Sequence, residues 1–306
     1  MMNKLTIGTR GSNLALYQTN LVIKNIRNLY PSIQVNTKVI KTKGDVFLEK
    51  DLTKVLEKGF FTSEIQDALY AKEIDLAVHS LKDLPTEMPQ DSCIAAILPR
   101  EDYRDVFLST HKTPLSYFNE YKKIGTSSLR RKSQLLAVSN NLKILPVRGN
   151  VDTRIQKMLD GNFDGLVLAA AGVKRLGLEK HITEYLDSDL MLTAPGQGAI
   201  ALETRNSDEK LKKILYRLND EKTYMCVSAE RSFLNTLGGG CHVPFAAYAY
   251  IINEQINLKA FVGSLDGETN VKDMIVGKKE RCLHLGKELA ERILNNGGKE
   301  IISHLK

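Results

Sequence analysis

One local design occurs twice in the 306-residue chain and limits its possible folds more than any other feature. Near the start, Leu5-Thr6-Ile7 reads as a short strand running into Gly8-Thr9-Arg10-Gly11-Ser12, with Leu14, Tyr17 and Leu21 following at helical spacing. Much later, Lys123-Ile124-Gly125-Thr126 runs into Ser127-Ser128-Leu129-Arg130-Arg131, and Leu135, Leu136 and Val138 continue a helix. Each copy is a strand, a small polar turn, an arginine and a helix. Strand-like residues 35–41 complete a β-α-β opening in the first copy. Strands alternating with helices build mixed or parallel sheets covered by helices. A chain of this length exceeds one ordinary core. Two α/β lobes are therefore expected.

The polar stretch at 99–104 reads as a crossing from the first lobe to the second, and residues 191–198, containing Ala194-Pro195-Gly196-Gln197-Gly198, as the crossing back. Beyond a helix at 223–237 come three strands, at 245–252, 256–262 and 271–276, with an Asp266-Gly267 turn before the last. Leu285, Leu289, Ile293 and Leu294 mark a closing helix. The expected fold class is α/β, with two lobes and a small α+β C-terminal domain. Residues 1–98 with 199–218 form the first lobe, 104–192 the second, and 222–306 the third domain.

Several residues stand where chemistry is expected. Gly238-Gly239-Gly240-Cys241-His242-Val243-Pro244 cannot be a helix interior, because each glycine costs about 1 kcal/mol there. It is either a tight loop presenting a reachable thiol or a structural turn around a half-buried cysteine. Arg10 and Ser12 lie at a strand-to-helix turn, beside free helix N–H groups that suit an anion; an arginine lying in solvent or capping a neighbour fits equally well. Strand-like residues 74–80 end at Leu81-Lys82-Asp83-Leu84-Pro85. Asp83 thus sits at the carboxyl end of a strand, where open α/β sheets bind ligands, or it simply starts the turn before Pro85. His79 and Ser80 point to opposite faces and cannot act as a pair. Arg130, Arg131, Arg148, Arg154 and Arg175 are expected at strand ends or helix starts. A cation in a helix's first turn opposes the helix dipole, so their recurrence points to a polyanionic ligand.

The net charge of +7 accords with an anionic ligand. The four cysteines (Cys93, Cys226, Cys241 and Cys282) form no zinc-type pair, and a disulfide framework is not expected at this density, so neither metal nor disulfides are expected. The N-terminus has no apolar signal core, and the longest apolar run, 165–173, is too short to cross a bilayer. A cytoplasmic protein with no membrane partner is expected. A nucleic-acid binder is a competing class. It calls for aromatics interleaved with basic residues, whereas the chain has no Trp and its arginines fall at strand ends. A non-catalytic two-lobed receptor for a dicarboxylate also competes, and it leaves the glycine-flanked cysteine unexplained.

Taken together, six stretches closely resemble the porphobilinogen deaminase family: Thr9-Arg10-Gly11-Ser12, Val78-His79-Ser80-Leu81-Lys82-Asp83, Gly125-Thr126-Ser127-Ser128-Leu129-Arg130-Arg131, Arg148-Gly149-Asn150 through Arg154, Gly196-Gln197-Gly198 and Gly239-Gly240-Cys241. The likeness runs nearly end to end. It implies two periplasmic-binding-protein-like lobes and a third domain, whose Cys241 holds a dipyrromethane cofactor by a thioether. It implies that four porphobilinogens are added in turn, each losing ammonia, before water frees a linear tetrapyrrole. By match, Asp83 is the catalytic carboxylate. Lys82, Ser128, Arg130, Arg131, Arg154 and Arg175 bind the cofactor, Arg10, Ser12 and Arg148 the substrate, and Gln197 matches a substrate contact or a hinge position. Lys54, Lys58 and Phe61 belong to a mobile flap that also contacts substrate, although Leu56-Glu57 stands where many relatives have two glycines. The family further suggests a monomer. Arginine suits such a ligand, because each pyrrole carries two carboxylates and the guanidinium fork grips them bidentately.

Overall fold

The computed structural model describes residues 3–44, 62–238 and 243–304. Cys241, Lys54, Lys58 and Phe61, with the Leu56-Glu57 departure, lie outside the described residues. In chain order, the first segment contains β1 (Lys4–Thr9), α1 (Asn13–Leu29), β2 (Gln34–Val39), α2 (Ser63–Tyr70), β3 (Leu76–Ser80) and β4 (Ser92–Ile97). The next contains β5 (Asp105–Ser109), β6 (Lys123–Gly125), α3 (Leu129–Val138), β7 (Lys143–Leu145), α4 (Val151–Leu159), β8 (Gly165–Ala169), α5 (Ala170–Arg175) and β9 (Ile182–Tyr185). Then come β10 (Ile200–Arg205) and α6 (Glu209–Tyr216). Last are α7 (Glu221–Thr236), β11 (Phe245–Ile252), β12 (Gln255–Gly263), β13 (Asn270–Lys278), α8 (Cys282–Ile293) and α9 (Lys299–Ser303).

The chain divides into two compact units, Met1–Glu101 with Ala199–Tyr224, and Asp102–Gly198 with Met225–Lys306. In the first unit the strand order is β2-β1-β3-β10-β4; β1, β2 and β3 run parallel and β10 runs against both neighbours. In the second the order is β7-β6-β8-β5-β9, with β6, β7 and β8 parallel and β5 antiparallel to both neighbours. The two sheets repeat one plan, and in each the antiparallel strand is the first to follow a change of unit. Parallel strands place their carboxyl ends on one edge, where turns and helix starts gather.

The first sheet buries Leu5, Ile7, Val78 and Leu202 against Val22, Ile23 and Ile26 of α1. The stripe expected on α1 is corrected here. Tyr17 is 44% exposed, and Leu14 and Leu21 are only half-buried. The core face is one position further on and includes Gln18 and Thr19. Their polar atoms are satisfied: Gln18 Nε2 donates across to Ser80 Oγ at the end of β3 at 2.9 Å, and Thr19 Oγ1 to the Ala15 carbonyl one turn back at 2.9 Å. Polarity alone therefore pointed to the wrong face.

Two strands of the second sheet, β5 and β9, are additions to the sequence reading. The stretch before β5 is polar and reads as a crossing, yet Val106, Phe107 and Leu108 are fully buried. Residues 165–171 read in the sequence as one buried strand; the strand ends at Ala169, and residues 170–171 begin helix α5. The antiparallel sheet β11-β12-β13 packs its inner face on α7 and α8, through Phe233, Leu258, Val262, Leu285 and Leu289. Its β12–β13 turn rests on α3: a Cβ at Gly267 would stand 2.5 Å from the Ala137 amide nitrogen.

Candidate active site

In the first unit, Ser12 caps α1 by accepting from the Ala15 amide at 3.3 Å. Arg10, half-buried, lies just before it at the carboxyl end of β1. One strand over, β3 ends in a single 3₁₀ turn, Leu81–Asp83. Fully buried Leu81 anchors that turn, and its amide donates to the Ala199 carbonyl at 3.0 Å. Leu84 N donates to the Leu81 carbonyl at 3.1 Å and closes the turn. Lys82 and Asp83 are left exposed on it. Strands β1 and β3 are parallel, so the Arg10-Ser12 turn and the Lys82-Asp83 turn share one sheet edge. Behind that edge, His79 Nε2 lies 2.9 Å from Glu203 Oε2, both buried. Burial pushes the Glu203 carboxyl up, but the His79, Ser92 and Gln66 side chains around it outweigh this and hold it below its ordinary value.

In the second unit, the same edge collects the arginines. Ser128 caps α3 by accepting from the Arg131 amide at 3.4 Å. Ser127 Oγ donates to the Val147 carbonyl at 2.8 Å and accepts from its amide at 3.0 Å, tying the turn after β6 to the loop after β7. That loop carries exposed Arg148. Arg154, in the first turn of α4, donates from Nε to the Gly149 carbonyl at 2.7 Å. Arg175 is buried and donates from Nη2 to the Gly198 carbonyl at 2.7 Å. It sits in the last turn of α5, where a cation favours the helix dipole, and not at the strand end or helix start expected for it.

Arg130 and Arg131 are each only 6% exposed, and their company changes the dipole argument. Arg131 donates from Nη2 to Asp105 Oδ1 at 2.7 Å, from Nε to the same oxygen at 3.2 Å, and from Nη1 to the Val167 carbonyl at 2.9 Å. Arg130 Nη1 lies 2.7 Å from Asp105 Oδ2 and donates to the Leu192 carbonyl at 2.7 Å. Gln197, 1% exposed, donates from Nε2 to Asp105 Oδ1 at 3.0 Å and to the Tyr103 carbonyl at 2.8 Å. Burial pushes the Asp105 carboxyl up, but the two guanidiniums outweigh it and hold the group far below the carboxylate range. Asp105 opens the strand hidden behind the polar crossing, and the sequence reading missed it. The apolar triplet Val106-Phe107-Leu108 was the available signal, though so short a run does not separate strand from helix.

Two guanidiniums against one carboxylate leave an excess of positive charge where water is scarce. This donor set fits a ligand rich in carboxylates. Among the described residues, no cluster of three or more His, Cys, Asp or Glu could hold a metal, and no helix is long and apolar enough to cross a membrane.

Residues 5–213 match the family model of the porphobilinogen deaminase dipyromethane cofactor binding domain, and residues 224–295 that of the porphobilinogen deaminase C-terminal domain. The chain belongs to the porphobilinogen deaminase family. The porphobilinogen deaminase of Syntrophomonas wolfei is 45% identical over 98% of each chain, and that of Syntrophus aciditrophicus 44% identical over 99% of each. Among solved structures, the methionine binding protein MetQ aligns with 72% of this chain and 92% of its own at a TM-score of 0.46 and 14% identity, too loose a likeness to carry any argument. Of the positions at which the porphobilinogen deaminase family pattern was matched, Arg10, Ser12, Lys82 and Asp83 gather on the first sheet's edge. Ser128, Arg130, Arg131, Arg148, Arg154, Arg175 and Gln197 gather at the corresponding end of the second.

Proposed function

We propose that this chain carries a dipyrromethane cofactor as a thioether on Cys241, joins four porphobilinogens to it with loss of ammonia, and releases the linear tetrapyrrole hydroxymethylbilane by hydrolysis. What carries the reading is the gathering of basic residues at one sheet end within a chain that matches this family along its length. When bound, the cofactor supplies an anchored pyrrole end to which each incoming unit is joined.

The chain's own residues have four tasks in this scheme. Arg130, Arg131, Arg154 and Arg175, with Ser128 and Lys82, hold the carboxylates of the cofactor. Arg148, Arg10, Ser12 and Gln197 hold those of the incoming substrate, and Lys54, Lys58 and Phe61 contribute from the flap. Asp83 places a negative charge where positive charge develops as ammonia departs, and it helps move a proton to the leaving amine. The Cys241 thiolate is the nucleophile that fixes the cofactor once. The reading includes a monomeric cytoplasmic protein with no nucleic-acid or membrane partner, organised as the two lobes and third domain delimited from the sequence.

Intact-mass measurement tests it. Wild-type apo-chain incubated with porphobilinogen gains the mass of two linked pyrroles, and Cys241→Ser gains none. A wild-type chain that stays unmodified under those conditions, or a Cys241→Ser chain that is modified equally, contradicts the proposal.

A further inference from the structure

We propose that Asp105 is a positioning residue: its buried carboxylate locks Arg130 and Arg131 at one edge, so that their remaining N–H groups form a fixed receptor for a carboxylate of the pyrrole ligand. The inference deepens the function proposed above and rests on it.

The internal repeat carries the argument. Ser12 and Ser128 cap their helices identically, each accepting from the amide three residues on, Ala15 in one unit and Arg131 in the other. Aligned on those caps, Arg130 corresponds to Leu14 and Arg131 to Ala15. Ile200 opens β10 opposite Ser80, the last residue of β3, and Asp105 opens β5 opposite Ala169, the last residue of β8. Asp105 therefore corresponds to Ile200, which is buried. At the corresponding positions one unit has Leu14, Ala15 and Ile200, and the other has two arginines and an aspartate. The plan itself needs no charge here. Replacing a buried ionic cluster by apolar side chains is often neutral or stabilising, so its presence calls for another role.

Charge counting indicates that role. The cluster holds +2 against −1, and the neighbouring Gln197 and Gln134 are neutral. A buried excess of one positive charge is costly until an anionic group arrives. Asp105 Oδ1 takes the Nε–Nη2 edge of Arg131, and Oδ2 lies 2.7 Å from Arg130 Nη1, which also donates to the Leu192 carbonyl; these contacts orient the two forks and hence where a second carboxylate can bind.

The sign of one substitution separates positioning from simple neutralisation. Asp105→Asn raises the local positive charge. If Asp105 only offset charge, an acidic ligand would be captured as fast or faster. If it positions the arginines, capture slows in spite of the greater charge. Apo-chain is incubated with porphobilinogen, and cofactor gain is followed by intact mass alongside a thermal melt. The expected result is loading slower by about tenfold or more, the scale of a displaced binding group, in a chain that remains folded. Loading at or above the wild-type rate overturns the proposal. If Asp105→Asn does not fold, Asp105→Glu keeps the charge but displaces the carboxylate. It is expected to load slowly too; wild-type loading, or failure of both variants to fold, overturns the proposal. The triple variant Arg130→Leu, Arg131→Ala, Asp105→Ile copies the other unit's residues at these positions and is expected to fold. Its unfolding would make the cluster a folding device and overturn the inference. A wild-type chain that never loads removes the underlying function as well, whereas a loading wild type beside a normally loading Asp105→Asn removes the positioning role alone.

Discussion

At the scale of single residues, the two units place their acids in opposite surroundings. Asp83 is exposed on a one-turn 3₁₀ segment, whereas Asp105 is fully buried between arginines. An exposed carboxylate contributes little to stability, so its removal reports on chemistry. Asp83→Asn is expected to lower the rate of tetrapyrrole formation by about 10²-fold or more, the scale of a positioned acid–base group. The same change should alter unfolding free energy by no more than about 0.5 kcal/mol, as surface substitutions do. Steady-state assay and urea melts of one preparation check both halves. Retained turnover removes Asp83 from the chemistry, and a large loss of stability makes it a structural turn residue.

At the scale of elements, turns and the apolar stripe of α8 could be read from the sequence, whereas the buried face of α1 could not. The small polar turns before α1 and α3 were legible because capping is local: Ser12 and Ser128 each accept from an amide three residues on. The Asp266-Gly267 turn was legible for the same reason. Its packing was not, since the α3 backbone that crowds Gly267 is distant in sequence. Gly267 has φ +77°, and an added Cβ would stand 2.5 Å from Ala137 N and 2.6 Å from the Ser133 carbonyl. Gly267→Ala combines left-handed strain with overpacking against rigid backbone, and is expected to cost about 2–4 kcal/mol, read from the shift of a urea midpoint. A neutral result would mean that the hairpin moves freely off α3. Strand β5 went unseen for a complementary reason. Its charged first residue belongs to a buried cluster whose arginines lie more than twenty positions away, and only the fold brings them together. Arg10, Lys82, Arg130, Arg131, Arg148 and Arg154 were legible as a set, because each sits in or beside a turn with its own local signature, whereas Arg175 was named but misplaced. What holds Arg130 and Arg131 in place was not.

At the scale of the whole molecule, buried acids tie the stability of each unit to pH. Glu203 in the first unit, and Asp102 and Asp105 in the second, all have carboxyls held below their ordinary values in the folded chain. For Asp102, burial pushes the group up, but hydrogen bonds from Arg104 and Lys174 outweigh this and lower it from 3.8 to about 2. A group whose folded value lies below its unfolded one adds stability that is complete above the unfolded value and is lost as pH falls through the folded one. Native stability is therefore expected to hold above about pH 5 and to decline progressively in more acid solution. Acid weakens most proteins, so the specific test is a pair of melting curves. Protonated aspartate resembles asparagine in charge, and Asp102→Asn should therefore melt below wild type at pH 7. The gap should narrow as the pH drops through 3.8 and close near 2. A gap that stays constant down to pH 2 would show that Asp102 contributes packing alone, and that the partners Arg104 and Lys174 add no ionic stability to the second unit.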